Sequence, residues 1–117
     1  MTTIYKICEQ AEWRAAEPAG SFSGTAADRR DGFIHFSTAA QLAETVARHY
    51  AKQTDLILIA VDGDALGAHL KWEPSRGGDL FPHLYGALNL GAVTRVIDFP
   101  SEPDGSFLMP PALRDPA

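Results

Sequence analysis

The chain opens on Thr3-Ile-Tyr-Lys-Ile-Cys8, where apolar and mixed positions alternate, and this pattern predicts a strand. Glu9 to Glu17 carries helix-forming residues around Trp13 and stops at Pro18-Ala-Gly20, a short helix. Gly20 to Asp31 is rich in Ser, Gly and Asp without periodicity, so a loop is expected. Asp31-Gly32 then turns the chain into a brief strand, Phe33 to Phe36. Side chains alternate along a strand, so Phe33 and His35 share one face and Ile34 and Phe36 the other.

Thr38-Ala-Ala-Gln41 has the form of a capping box, with a hydroxyl at the N-cap and an amide three residues on. The helix it starts places Ala39, Leu42, Val46, His49 and Tyr50 on one face. His49, at its end, reads as a partly buried packing residue against terminal carbonyls. Leu56-Ile-Leu-Ile-Ala-Val61 is apolar at every position, which predicts a central strand covered on both faces. After the turn Asp62-Gly63-Asp64, Ala65 to Leu70 forms at most a helical turn with His69 exposed, and Leu70-Lys-Trp-Glu73 a short strand ended by Pro74. Ser75 to Asp79 is a flexible loop; Leu80 to Gly86 is apolar and aromatic, with His83 and Tyr85 on one face if extended. Ala92 to Phe99 is the last strand. Residues 100–117 hold five prolines and few core candidates, and are expected to run over the surface without regular structure.

Two convincing helices among mostly strands give an α+β pattern in a single domain, residues 1–99, followed by the proline-rich tail. At 117 residues the chain is long enough for one core. Its net charge of −5 argues against general binding to nucleic acid or anionic membranes. The longest apolar run, Leu56 to Val61, is too short to span a bilayer, and no signal peptide is expected after Met1-Thr-Thr-Ile. The lone Cys8 has no partner for an internal disulfide and reads as a small core hydrophobe. These features together fit a cytoplasmic protein with no identifiable partner protein.

Chemistry concentrates in three stretches: Asp31-Gly-Phe-Ile-His-Phe-Ser-Thr38, Lys71-Trp-Glu-Pro-Ser-Arg-Gly-Gly78 and Phe81-Pro-His-Leu-Tyr-Gly86. No Gly-rich phosphate loop, Gly-x-Ser-x-Gly, Cys-x-x-Cys or His-Glu-x-x-His occurs, which disfavours serine and thiol hydrolases and structural zinc sites. His35, Ser37, Glu73, Arg76, His83 and Tyr85 remain, with Trp72 and Phe81 as aromatic walls. In a structural reading His35 is a bonded core histidine, Glu73 pairs with Arg76 across Pro74, and His83 and Tyr85 pack at a sheet edge. A metal site of His35, His83 and Glu73 lacks any supporting ligand spacing, and no metal is predicted. The third reading is a cleft for a small-molecule or nucleotide ligand. There an aromatic ring of Trp72, Phe81 or Tyr85 stacks on the ligand, while His35, Ser37 and the helix N-terminus hold a hydroxyl or phosphate. Arg76 would neutralise an anion and Glu73 supply a carboxylate. Asp28-Arg-Arg-Asp31 is either an anion site or a solvated turn whose charges cancel.

The three stretches, with Gln41 and Thr45 between them, resemble the bacterial domain-of-unknown-function family 952, from Ile4 to about Phe99. That family resembles the ADP-ribosyltransferase fold, in which small bent sheets surround an NAD-binding cleft. The resemblance implies His35 as the ribose-holding residue, Glu73 as the catalytic carboxylate, and Tyr85 or His83 on the nicotinamide side. It implies an NAD-utilising or nucleotide-processing transferase or glycohydrolase acting at a glycosidic carbon, with NAD as substrate. A non-catalytic small-molecule or nucleotide-binding domain using the same cleft, and a structural or partner-binding protein, are the alternatives. One departure is visible: His35 is followed by Phe36-Ser37 where such enzymes carry Gly-Thr.

Overall fold

A strand with no polar face must be covered twice, and the fold is built around that requirement. The structure is a computed structural model that describes residues 2–110, apart from the side chain of Arg76. In chain order its elements are β1 (Thr3–Glu9), α1 (Gln10–Ala16), β2 (Ser21–Phe22), α2 (Ala26–Asp31), β3 (Ile34–His35), α3 (Ala39–His49), β4 (Leu56–Asp62), β5 (Leu70–Pro74), β6 (Leu80–Leu84), β7 (Leu88–Asn89) and β8 (Val93–Phe99). A 3₁₀ segment over Gly63–His69 joins β4 to β5. Among the described residues the result is a mixed fold of three antiparallel sheets and few helices.

The first sheet runs β1-β4-β8, with β4 in the centre as its apolar run requires. Ile57, Ile59 and Val61 point into one core with Ile4, Cys8, Trp13, Ile34 and Leu84. Leu56 and Leu58 point into another with Ile7, Phe99 and the inner face of α3, Leu42 and Val46. Burying this apolar surface is the main favourable term in folding. Helix α3 starts where expected: the Thr38 hydroxyl accepts from the Gln41 N–H at 3.3 Å, and Gln41 Oε1 accepts from the Thr38 N–H at 3.0 Å. Thr38→Ala should therefore cost about 1 kcal/mol, read as a lowered urea midpoint at unchanged slope.

Two expectations are corrected. Residues 20–31 are not a loop: they contain β2, paired with β7, and the helix α2. The described residues thus hold three α-helices rather than two. His49 is exposed rather than packed. The tail, as far as it is described, has neither helix nor strand and no buried residue, as expected, but it is anchored. Ser101 bridges to Phe107, whose ring stacks on Phe99 at 4.8 Å, and Met109 packs on the same core. Residues 111–117 lie outside the described part.

The sheet that carries the chemistry is β3-β6-β5. Its Ile34 and Leu84 face the core, so alternation turns Phe33, His35, His83 and Tyr85 outward. Tyr5 and Ser37 tie this sheet to β1 through two backbone hydrogen bonds, 2.8 and 2.9 Å, and that junction brings Lys6 beneath His35.

Candidate active site

His35 and His83 are direct cross-strand partners, with ring centroids 5.7 Å apart. Phe33 stacks on His83 at 4.1 Å and touches His35 at 4.6 Å and Tyr85 at 5.4 Å. Each imidazole is braced by acid. His35 Nδ1 lies 2.6 Å from Asp28 Oδ1 and its Nε2 3.0 Å from Asp31 Oδ2. His83 Nδ1 lies 2.9 Å from Glu73 Oε1, an oxygen that also accepts from the Tyr85 hydroxyl at 2.8 Å. Both rings line a cleft of about 580 Å³, a volume ordinary for a small-molecule site. Ser37 lies in its wall with its hydroxyl 3.3 Å from that of Thr45, and His49 and Tyr50 stand at its far side.

Below His35 lies a buried ion pair. The Lys6 ammonium meets Asp28 at 2.7 and 2.9 Å and donates to the His35 carbonyl at 3.1 Å, so its three protons have three acceptors. Asp28 is also the third helical residue of α2. Its carboxylate accepts from the Thr25 N–H, and its own N–H goes to the Thr25 hydroxyl. Gly24 makes room for this arrangement: it has φ +98°, and a Cβ there would meet Asp28 Cβ at 2.7 Å. Burial alone would raise the Asp28 carboxyl, but the His35 hydrogen bond and the Lys6 charge outweigh it and hold it well below the usual carboxylate range. For Lys6 burial is the larger influence and pulls it down, against the opposing charge of Asp28. The hydrogen bonds from His83 and Tyr85 lower Glu73, and the bond to Glu73 raises Tyr85. Cys8, pushed up to about 12 by burial, is a core residue and no nucleophile.

His35, Ser37 and His83 are thus brought together in the cleft. Glu73 stands behind His83, and neither it nor Tyr85, which is 37% exposed, belongs to the cleft lining. Trp72 lies on the opposite face of β5 from Glu73, in a separate hollow with Leu70 and Asp64. The Arg76 side chain, and with it the expected pairing with Glu73, lies outside the described residues; among those described Glu73 bonds His83 and Tyr85. Among the described residues no group of His, Cys, Asp and Glu is arranged around a metal position. Sequence reasoning missed Lys6 and Asp28. The signals were there: Thr25-x-x-Asp28 is a capping box, and Lys6 interrupts Ile4 and Cys8 on a core-facing strand edge.

A family model described as "Protein of unknown function (DUF952)" matches residues 7–96. The chain belongs to the DUF952 family. Among solved structures it is similar to protein CC0527 from Caulobacter crescentus. The crystal structure of that protein is 47% identical, covers 97% of this chain and 99% of its own, and superposes with a TM-score of 0.92. Its solution NMR structure gives 50% identity, 90% coverage of each chain and a TM-score of 0.79. No curated protein matches the chain. The DUF952 match spans every residue of the two braced histidines, from Asp28 to Tyr85. Among the described residues no helix is long and apolar enough to cross a membrane.

Proposed function

We propose that the cleft is the active site of an NAD-utilising or nucleotide-processing transferase or glycohydrolase, in a fold of the ADP-ribosyltransferase type. The observation that carries this reading is His83: its Nδ1 is held by Glu73 and its ring lines the cleft beside His35, so its Nε2 faces the ligand space. That is the arrangement of an oriented general base. In the reaction His83 Nε2 takes the proton of the incoming water or hydroxyl as the bond to the leaving base breaks. His35 donates to a ribose hydroxyl. Glu73 acts through His83 rather than on the sugar.

The charges support glycosidic chemistry over phosphoryl transfer. Glu9, Glu12, Asp28 and Asp31 line the cleft against two cations, Lys6, paired with Asp28, and Arg30, paired with Asp31, which leaves the two glutamates in excess. Such a lining stabilises the positive charge that develops on an oxocarbenium-like sugar carbon, in a transition state common to glycoside cleavage.

The test is a calorimetric and thermal-shift titration with NAD, ADP-ribose and nicotinamide, on the native protein and on His35→Ala. A ligand at a hundred times its dissociation constant should stabilise the native fold by about 2.7 kcal/mol. Binding that is lost in His35→Ala, with nicotinamide released from NAD, is the expected result. Binding without product makes the chain a non-catalytic nucleotide-binding domain, and no binding to any of the three removes the proposal.

A further inference from the structure

We infer that Lys6 and Asp28 are positioning residues, a buried pair that fixes the His35 ring in the cleft as a hydrogen-bond donor. The inference rests on the reading of the cleft given above and assigns His35 its chemical part in it.

The fold has little need of the pair. Lys6 stands on β1 between Ile4 and Cys8, both core residues, and its side chain is 3% exposed. A buried ion pair gives no more stability than apolar residues of its volume, because desolvation cancels most of the attraction. What an apolar pair would lack is the grip on one residue. His35 is held at its backbone N–H by Asp28 Oδ1 (3.2 Å), at its carbonyl by Lys6 Nζ (3.1 Å) and at ring Nδ1 by Asp28 Oδ1 (2.6 Å). Lys6 keeps Asp28 charged, and the cap on Thr25 keeps it aimed.

The consequence is an asymmetry between the two imidazoles. His35 has a carboxylate at each nitrogen, Asp28 inside and Asp31 at the surface, and only a ring with both N–H groups donates to both. His83 has a carboxylate at Nδ1 alone, and its Nε2 has no partner among the described residues. Phe33 packs against both rings, which meet edge to face at 5.7 Å between centroids. One ring therefore gives a hydrogen bond to the ligand, in exchange for Asp31, while the other takes a proton from it. The ligand atom at His35 is an acceptor such as a hydroxyl oxygen.

The test uses the full chain labelled with ¹⁵N-histidine and follows the imidazole N–H protons by NMR. A short N–H···carboxylate bond away from solvent gives His35 Nδ1 a strongly downfield, slowly exchanging proton. In the uncharged, near-isosteric double variant Lys6→Met/Asp28→Asn this signal should move upfield and broaden. The His83 Nδ1 signal, braced independently by Glu73, should stay in place and report that the sheet is intact. An unmoved His35 signal in a folded double variant overturns the inference. So does the absence of that downfield proton from the native spectrum, a result that needs no variant to fold. No ligand enters either measurement, so the positioning role stands or falls separately from the glycosidic reaction.

Discussion

Asp28→Ala should destabilise the protein by about 3–5 kcal/mol, because it strands the Lys6 ammonium in the core without its counter-charge. At about 4 °C per kcal/mol the thermal midpoint should fall by roughly 12–20 °C. Adding Lys6→Met should recover most of this, since the penalty comes from the unpaired charge rather than from a lost attraction. The pH dependence has a definite sign. Asp28 is depressed in the folded state, so its contribution is fully present above the ordinary carboxylate range and is lost only as pH falls through its lower folded value. The native protein should thus keep the pair intact through mildly acidic solution. In Asp28→Ala the remaining group is Lys6, lowered by burial and now without the Asp28 charge that opposed it. Its unfolded form binds the proton more tightly, so the variant should gain stability as pH rises toward the ordinary lysine value. Thermal melts at neutral and alkaline pH check both points. Equal midpoints for Asp28→Ala and the native chain would mean that the pair is not buried in solution.

The elements that could be read from sequence are those whose signal is local and repeated. Leu56 to Val61 has no polar position, and Leu42 and Val46 follow a capped start at Thr38, so both elements stand where periodicity and capping put them. Helix α2 was illegible for the opposite reason. Its one buried residue is Asp28, and a helix docked through a charge has no apolar stripe to read. The anchoring of the tail escaped because the run Phe107-Leu-Met109 is too short to show a period, and its docking site, around Phe99, is made by distant parts of the chain. The three chemical stretches do meet, but which residues face the cleft depends on strand alternation and register. Trp72 and Glu73 are neighbours on β5, so they cannot point the same way. Glu73 stands opposite Phe81 and reaches His83 diagonally, a pairing fixed by the register of β5 on β6 rather than by anything local.

If His83 is the general base, His83→Asn should lower kcat/KM for cleavage of the glycosidic bond by about 10²–10⁴-fold. The loss should fall mainly on kcat, because Nε2 meets the moving proton rather than the resting ligand. Glu73→Gln should produce a large share of the same loss while leaving ligand affinity near native. A carboxylate holds the Nδ1–H tautomer; an amide accepts or donates there and selects it poorly. Tyr85→Phe removes one of two hydrogen bonds to Glu73 Oε1 and leaves the His83 bond, so its effect should be a few-fold, in line with about 1 kcal/mol for one such bond. The order His83→Asn, then Glu73→Gln, then Tyr85→Phe is the signature of a relay running outward from the cleft. A role for Glu73 directly at the sugar carbon predicts a different order, with Glu73→Gln at least as damaging as His83→Asn. Paired kcat and KM measurements on the three variants separate the two schemes. Native turnover in both His83→Asn and Glu73→Gln would remove this pair from the chemistry and leave His35 as the one braced histidine in the cleft on which catalysis could rest.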